Sequence, residues 1–143
     1  MRKLNVIEKV NQPTNWVNSM VVVEKKDKVR ICIDPRNLIR AIKREHYPMK
    51  TVEDVAVKLA DAKVFSTLDA SSGFWAVKLK EESSLKTSFN TPFGRYKYLR
   101  LPFGISSAPE VFQKRVSHIF ENIEDCEIMM DDILIWGKDE ILD

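Results

Sequence analysis

The sequence is poor in the residues that build disulfide frameworks, zinc sites and flexible linkers. Its 143 residues include two cysteines, two histidines and four glycines. Cys32 and Cys126 cannot form a disulfide framework, and together with the scattered histidines they lack the spacing of zinc ligands. No apolar run approaches the roughly 18–20 residues that span a bilayer. No charged-then-apolar leader opens the chain, so neither membrane insertion nor secretion is expected.

The composition is that of a folded chain with strongly uneven charge. Hydrophobic residues make up 44% and charged residues 31%, which allows a core, and the length fits one domain or a piece of a larger one. Residues 24–50 carry nine basic and four acidic side chains, whereas residues 121–143 carry nine acidic side chains and one lysine. This asymmetry fits two solvated faces. It equally fits a phosphate-binding half and a metal-binding half.

Local patterns predict an α+β arrangement in which strands alternate with two or three helices. The apolar runs Met20–Val23 and Val29–Ile33 flank a charged turn and predict a β-hairpin with a basic tip. Thr51 and Ser107 are predicted helix caps, and the second helix has an apolar stripe of Val111, Phe112, Val116, Ile119 and Phe120. Further strands are predicted over Val64–Asp69, Phe74–Leu79, Leu85–Thr91, Arg95–Leu101, Glu127–Met130 and Ile133–Trp136.

The adjacent carboxylates Asp131 and Asp132 stand between two apolar strands. Two neighbouring ionised carboxylates repel each other, so this placement favours a neutralising cation. Because successive strand residues point to opposite faces, both can reach one site only from a tight turn. Asp69, which ends a predicted strand, is the best third carboxylate, and an all-oxygen donor set suits Mg²⁺. Taken alone, the pair also fits an ordinary hairpin turn, where Asp is common.

An ordered set of motifs resembles the reverse transcriptase domain of gypsy-type long-terminal-repeat retrotransposons and, more distantly, of retroviruses. The resemblance extends from about Val6 to the end of the chain. Each motif is weak alone, and their order and spacing make the resemblance specific. The motifs are Pro13–Ser19, Arg30–Leu38, Phe65–Asp69 with Gly73 and Phe74, Phe93–Tyr96, Leu101–Gly104 and Met130–Leu134.

The resemblance implies the fingers and palm of a right-hand polymerase, with an antiparallel sheet backed by helices at 51–62 and 107–120. The single domain would cover residues 1–143. Its fingers would lie at about 10–50 and 80–105, and its palm at about 51–79 and 106–143. A thumb, a ribonuclease H domain and an integrase are not expected within these residues. The isolated chain is therefore expected to polymerise poorly or not at all, because most duplex phosphate contacts would be missing.

The resemblance also implies RNA-directed DNA synthesis, in which a nucleotide is transferred from a dNTP to a primer 3′-hydroxyl. Asp69 and Asp131 would hold two Mg²⁺ ions, for which Mn²⁺ could substitute, with Asp132 beside them. The implied partners are an RNA or DNA template with its primer, dNTPs and the remainder of a Pol polyprotein, without a membrane. An intact element would work inside a cytoplasmic virus-like particle.

The same resemblance assigns a nucleotide-binding set. Arg30, with Lys25 or Lys26, would contact the triphosphate, and Phe74 would exclude a 2′-hydroxyl. Ala70, Phe103 and Gly104 would lie near the nucleotide, where glycine allows close approach of the backbone. The alternatives are a hairpin decorated with charge for solubility and, for Phe74, an ordinary core aromatic.

Three positions depart from the family pattern. Met129 replaces a tyrosine near the primer terminus, next to Met130, and this removes a hydroxyl but no metal ligand. Ile39 stands where asparagine is usual, and Ala76 where glutamine is common. These changes fit a diverged or decaying copy.

Three functional hypotheses therefore stand at this point. The first is a reverse transcriptase fingers and palm fragment. The second is a catalytically inactive remnant that only binds nucleic acid or protein, and the third is an unrelated carboxylate nuclease. Mg²⁺-dependent binding of a nucleoside triphosphate favours the first over the second. Cleavage of nucleic acid without triphosphates favours the third.

Overall fold

The computed structural model describes residues 1–26 and 28–138, which fold into two compact units. The first unit comprises Met1–Arg44 and Phe74–Ala108, and the second comprises Glu45–Gly73 and the chain from Pro109 onward. The fold is α+β with antiparallel sheets, as predicted. The elements are β1 (Ile7–Val10), β2 (Ser19–Lys25), β3 (Lys28–Asp34), α1 (Arg36–Ala41), α2 (Val52–Lys58), β4 (Val64–Asp69), a 3₁₀ turn (Gly73–Ala76), α3 (Glu81–Lys86), β5 (Phe89–Thr91), β6 (Gly94–Tyr98), α4 (Ala108–Phe120), β7 (Cys126–Met129) and β8 (Asp132–Gly137).

The first unit combines a hairpin with a three-stranded sheet. Strands β2 and β3 form the predicted antiparallel hairpin, and β6 lies between β1 and β5 in the sheet. Tyr98 of β6 is fully buried, and its hydroxyl donates a hydrogen bond to the Ile31 carbonyl at 2.8 Å. This bond satisfies the buried hydroxyl and ties the sheet to the hairpin. Burial raises the pKa of Tyr98.

Two strands predicted in the first unit are wrong in part. Residues Phe74–Leu79 begin as a 3₁₀ turn, in which the Val77 amide donates to the Phe74 carbonyl at 3.1 Å. In an apolar run this short, sequence periodicity cannot distinguish a helical turn from a strand. In the predicted strand Leu85–Thr91, the first residues belong to helix α3 and only Phe89–Thr91 is strand. Acidic residues in the first turn of α3 and Lys86 in its last turn favour the helix.

Helix α1 was not predicted from the sequence. Strand β3 does end at Asp34, and six helical residues follow it. Leu38 is the buried residue of this helix, and the Asp34 carboxylate accepts a hydrogen bond from Arg36 Nε at 2.8 Å. A helix of six residues with one buried apolar residue shows no periodic pattern in the sequence.

The second unit is a three-stranded sheet with two helices, which contact β7 through Lys58 of α2 and Gln113 of α4. Strand β8 lies between β4 and β7. Helix α2 begins at the predicted cap, where the Thr51 hydroxyl accepts from the Asp54 amide and the Asp54 carboxylate accepts from the Thr51 amide. Phe112 of α4 is buried, but Ile119, which was predicted on the same apolar stripe, is 70% exposed. The buried face of α4 is therefore narrower than its apolar pattern.

No helix within residues 1–26 and 28–138 is long and apolar enough to cross a membrane.

Candidate active site

Two of the three predicted catalytic carboxylates face each other across paired strands. Strands β4 and β8 are antiparallel, and Asp69 at the end of β4 lies directly opposite Asp132 at the start of β8. Directly opposite residues of an antiparallel pair place their side chains on the same face, a few ångströms apart. Both residues are exposed. Since like charges in this position repel, a cation between them would stabilise the arrangement.

The third carboxylate belongs to the tight turn that the sequence predicted. Met129 pairs with Asp132, so only Met130 and Asp131 connect β7 to β8. Met130 has a φ of 56°, in the left-handed region that such short hairpin turns require. The amide of Ala70 donates to the Asp131 carbonyl at 2.7 Å. This bond fixes the main chain of Asp131 beside the residue that follows Asp69. The two remote carboxylate segments therefore meet at one end of the sheet.

A buried glutamine holds the turn in place, and the sequence analysis did not identify it. Gln113 of helix α4 is 2% exposed. Its Oε1 accepts from the Met130 amide at 2.9 Å, and its Nε2 donates to the Ile128 carbonyl at 2.7 Å. The one side chain thereby pairs with a main-chain group of β7 and with one of the turn that follows it. A polar residue inside the apolar stripe of α4 was the only sequence signal for this role.

The three carboxylates have the donor chemistry that a hard divalent cation requires. Asp69, Asp131 and Asp132 offer only carboxylate oxygens, the ligands that Mg²⁺ prefers. Asp131 is half-buried with Oδ1 shielded from solvent, whereas the other two carboxylates are exposed. In the described part of the chain, no three metal-ligating side chains are already gathered into a cluster. The structure therefore supplies the segments and the donor chemistry of a metal site.

Four members of the predicted nucleotide-binding set lie in the first unit and come together around one ring. Arg30 on β3 places its guanidinium carbon 5.1 Å from the centre of the Phe103 ring. The Phe74 ring stacks on Phe103 with centroids 5.0 Å apart. Gly104 follows with a φ of +101°, and a Cβ there would lie 3.0 Å from the Ile33 carbonyl oxygen. The cluster thus joins a cation, two aromatic rings and a bare backbone segment.

The other predicted nucleotide-binding residues are placed separately. Lys26 is exposed in the turn after β2, with a φ of 31°, and only the main chain of Lys25 is described. Ala70 lies in the second unit beside the carboxylates. Phe74 is 7% exposed, a burial that the core interpretation also predicts. Of the residues assigned near the primer, Met129 is half-buried at the end of β7 and Met130 is 50% exposed.

A second feature that the sequence analysis missed anchors β7. Glu127 is 5% exposed and pairs with Lys50 and with Lys58, whose Nζ lies 2.7 Å from Oε2. Burial raises the pKa of Glu127, but the hydrogen bonds from both lysines outweigh this effect and hold its pKa below the usual value. The acid therefore stays charged and links β7 to α2 and to the segment before it. Its lysine partners are remote in sequence, so no local pattern marks this cluster.

The comparisons with known proteins identify the family. The family model for reverse transcriptase (RNA-dependent DNA polymerase) matches residues 22–141. The chain therefore belongs to the reverse transcriptase family, which confirms the resemblance found in the sequence. It is 34% identical over 96% of its length to the Pol polyprotein of transposon 297, and 35% identical over 78% to that of transposon gypsy, both from Drosophila melanogaster. It spans only 14% and 11% of these relatives.

Solved structures give the same fold. A mutant of the prototype foamy virus protease-reverse transcriptase superposes with a TM-score of 0.82 at 25% identity, over 96% of this chain and 18% of that one. A foamy viral protease-reverse transcriptase in complex with double-stranded DNA gives a TM-score of 0.81 at 24% identity, over 96% and 24% of the two chains. The predicted reverse transcriptase fold is confirmed.

Proposed function

We propose that this chain is the metal-binding and nucleotide-binding part of an RNA-directed DNA polymerase. The observation that carries the proposal is that main-chain pairing brings the segments of Asp69, Asp131 and Asp132 together at one end of the β4-β8-β7 sheet. Membership of the reverse transcriptase family supports the same reaction. The first unit would correspond to the fingers and the second to the palm.

The carboxylates would hold two divalent ions, Mg²⁺ or Mn²⁺. When bound, such ions neutralise phosphate charge and assist in-line displacement at phosphorus. Asp69 and Asp132 present their carboxylates on a common face of the sheet. The bond from Ala70 and the support from Gln113 limit the movement of Asp131. The main chain that carries these carboxylates would thus be fixed before a substrate arrives, which would lower the cost of ordering the charges during the reaction.

The Arg30 cluster would bind the incoming dNTP. A guanidinium donates paired hydrogen bonds to phosphate oxygens, and the contact with Phe103 holds the Arg30 head group over the ring. The Phe74 ring, packed against Phe103, offers a flat obstacle to a sugar 2′-hydroxyl. The absence of a side chain at Gly104 lets a ligand approach the backbone. The primed template would be RNA or DNA, since structural neighbours were solved with double-stranded DNA and with an RNA/DNA hybrid.

Calorimetric titration of the 143-residue chain with a non-hydrolysable dNTP analogue, on a primed template, tests this proposal. We expect binding that requires Mg²⁺ and falls at least about tenfold in Asp131→Asn and in Arg30→Ala. Asp125→Asn and Lys9→Ala are matched controls, because each removes one exposed charge of the same sign elsewhere in the same unit.

Other outcomes would replace the proposal. Template binding that is indifferent to Mg²⁺ and to dNTP would identify a binding remnant. Metal-dependent cleavage of nucleic acid without dNTP would identify a nuclease. If Asp131→Asn binds the dNTP analogue as tightly as the native chain does, Asp131 is not a metal ligand.

A further inference from the structure

The Phe103 ring has a further neighbour, Trp75, which belongs neither to the carboxylate site nor to the predicted nucleotide-binding set. Both residues lie in the first unit, and Trp75 is half-buried. The indole and Phe103 rings meet in an edge-to-face arrangement, with centroids 6.0 Å apart and an interplanar angle of 66°. Aromatic pairs favour this geometry at centroid separations of about 4.5–7 Å. The contact therefore stabilises one orientation of the Phe103 ring.

Two consecutive residues hold Phe103 from two directions. Phe74 and Trp75 belong to the same 3₁₀ turn, Gly73–Ala76, in which neighbouring side chains point about 120° apart. Phe74 stacks on the Phe103 ring with an interplanar angle of 28°, whereas Trp75 meets it at 66°. A ring that is packed against two differently oriented rings can neither tilt nor slide freely, so the turn fixes Phe103.

Main-chain hydrogen bonds join the two segments that carry these rings. The Leu101 amide donates to the Val77 carbonyl and the Leu79 amide donates to the Leu99 carbonyl, each at 2.9 Å. The chain just after Trp75 therefore runs beside the chain just before Phe103. The contact between the two rings rests on this paired backbone rather than on a free loop.

Phe103 in turn determines where the Arg30 head group lies. Arg30 is exposed, and within residues 1–26 and 28–138 no carboxylate pairs with it. Its guanidinium carbon lies 5.1 Å from the centre of the Phe103 ring, within the range of a cation–π contact. Because the guanidinium lies against this ring, a shift of Phe103 also moves Arg30.

The ring of Trp75, and not its polar atom, makes the favourable contact. The indole Nε1 is shielded from solvent and has no hydrogen-bond partner among the described residues. A buried donor without a partner destabilises a fold, so the N–H group does not explain a tryptophan at this position. A phenylalanine should therefore be able to replace it, whereas a side chain without a ring should not.

We propose that Trp75 is a positioning residue of the nucleotide site, which fixes the Phe103 ring and, through it, the Arg30 guanidinium and the Phe74 ring. The role of these groups toward a triphosphate and a sugar 2′-hydroxyl rests on the proposed function. Trp75 thereby sets both the affinity for a dNTP and the discrimination against a ribonucleotide, through these side chains rather than by a contact of its own.

Nuclear magnetic resonance of the ligand-free chain tests the positioning without any substrate. The Phe103 ring current shifts the resonances of Arg30 side-chain protons that lie over the ring, and Phe103→Leu defines their position without it. Trp75→Leu should move these resonances toward the Phe103→Leu values, and Trp75→Phe should leave them near the native ones. If Trp75→Leu does not fold, Trp75→Met, which keeps an apolar side chain without a ring, is read in the same way. Native Arg30 resonances in a folded, ringless variant would overturn the proposal.

Calorimetric titration on a primed template with Mg²⁺ tests the consequence for binding. Trp75→Leu should weaken binding of a non-hydrolysable dNTP analogue about three- to thirtyfold, the range that loss of a cation–π contact implies. It should also narrow the ratio between the affinities for the dNTP analogue and its ribonucleotide counterpart, and Trp75→Phe should restore both values. Tyr96→Leu is the matched control, because Tyr96 is also half-buried in the first unit but packs against Phe89 instead of Phe103.

The two measurements separate this inference from the proposed function. If the native chain binds the dNTP analogue and Trp75→Leu binds it with the same affinity and the same ratio, Trp75 has no positioning role and the proposed function stands. If Trp75→Phe loses as much affinity as Trp75→Leu, the indole N–H is required and the proposal is wrong. If the native chain binds no dNTP analogue, the proposed function fails, and the Arg30 resonances still decide whether Trp75 positions this side chain.

Discussion

At the residue scale, Gln113 supports the turn that carries Asp131, and Gly104 lets the backbone pass close to Ile33. Asp131 and Asp132 could be identified as candidates because adjacent carboxylates between apolar strands repel each other and favour a cation, and Asp69 because it ends a strand. Gln113 was not, because a glutamine inside a helical stripe has no chemistry of its own until the Met130 amide meets it. Gly104 could be predicted in part. Its sequence motif indicated the position, and the positive φ seen in the structure shows why a glycine is needed there.

Gly104→Ala should destabilise the first unit by about 1–3 kcal/mol. A left-handed φ costs a residue with a Cβ roughly 1–2 kcal/mol, and the added carbon would approach the Ile33 carbonyl oxygen to 3.0 Å. Urea unfolding of the variant measures this cost. Ser106→Ala, at an exposed neighbouring position, should change stability by no more than about 0.5 kcal/mol. If both variants unfold like the native chain, the conformation of Gly104 is misassigned.

At the scale of elements, the hairpins and the capped helix were predictable and the short elements were not. The β2–β3 and β7–β8 hairpins have clear apolar runs around polar turns. Helices of six residues, such as α1 and α3, contain too few turns to produce a periodic pattern. Contacts between elements, such as those of Glu127 with lysines far away in sequence, leave no sequence signal at all.

Gln113→Leu should loosen the β7–β8 turn and cost about 2–4 kcal/mol of stability. The substitution leaves the part-buried Met130 amide and the buried Ile128 carbonyl without their Gln113 partner, and each unsatisfied buried group costs about 1–3 kcal/mol. Hydrogen exchange of the Met130 amide, with thermal unfolding, measures both effects. Ser117→Ala is the control, because it removes the 3.1 Å bond from Gln113 to the Ser117 hydroxyl and leaves Gln113 and its two main-chain partners in place. Unchanged exchange at Met130 in Gln113→Leu would show that the turn holds itself.

Glu127→Gln should cost about 1–2 kcal/mol at neutral pH and remove part of the acid sensitivity of the second unit. The pKa of Glu127 is lower in the folded chain than its usual value of 4.5. Its contribution is therefore complete above the unfolded pKa and is lost as the pH falls through the lowered folded pKa. Stability curves between neutral pH and about pH 3 should converge for the native chain and the variant. Glu124→Gln, which removes an exposed carboxylate of the same unit, is the matched control. If the curves of the native chain and Glu127→Gln diverge on acidification, the lowered pKa of Glu127 is wrong.

At the scale of the whole molecule, the family and the fold class followed from the order of motifs. Composition and charge predicted no more than a folded chain with uneven charge. The order and spacing of the motifs predicted the family, and the family model that matches residues 22–141 confirms it. The division into fingers and palm, and the roles of the site residues, remain predictions.

The central claim is that carboxylates 62 positions apart in the sequence, at Asp69 and Asp131, share divalent ions. Iron-directed backbone cleavage tests it most directly, because Fe²⁺ in an Mg²⁺ site reduces added hydrogen peroxide to hydroxide and a hydroxyl radical, itself becoming Fe³⁺, and the radical cuts the chain nearby. We predict two cuts, one beside Asp69 and one within the Met130–Asp132 turn, both suppressed by excess Mg²⁺ and both lost in Asp131→Asn. Cleavage at only one of these segments, or chiefly within the acidic stretch at 121–125, would contradict the account.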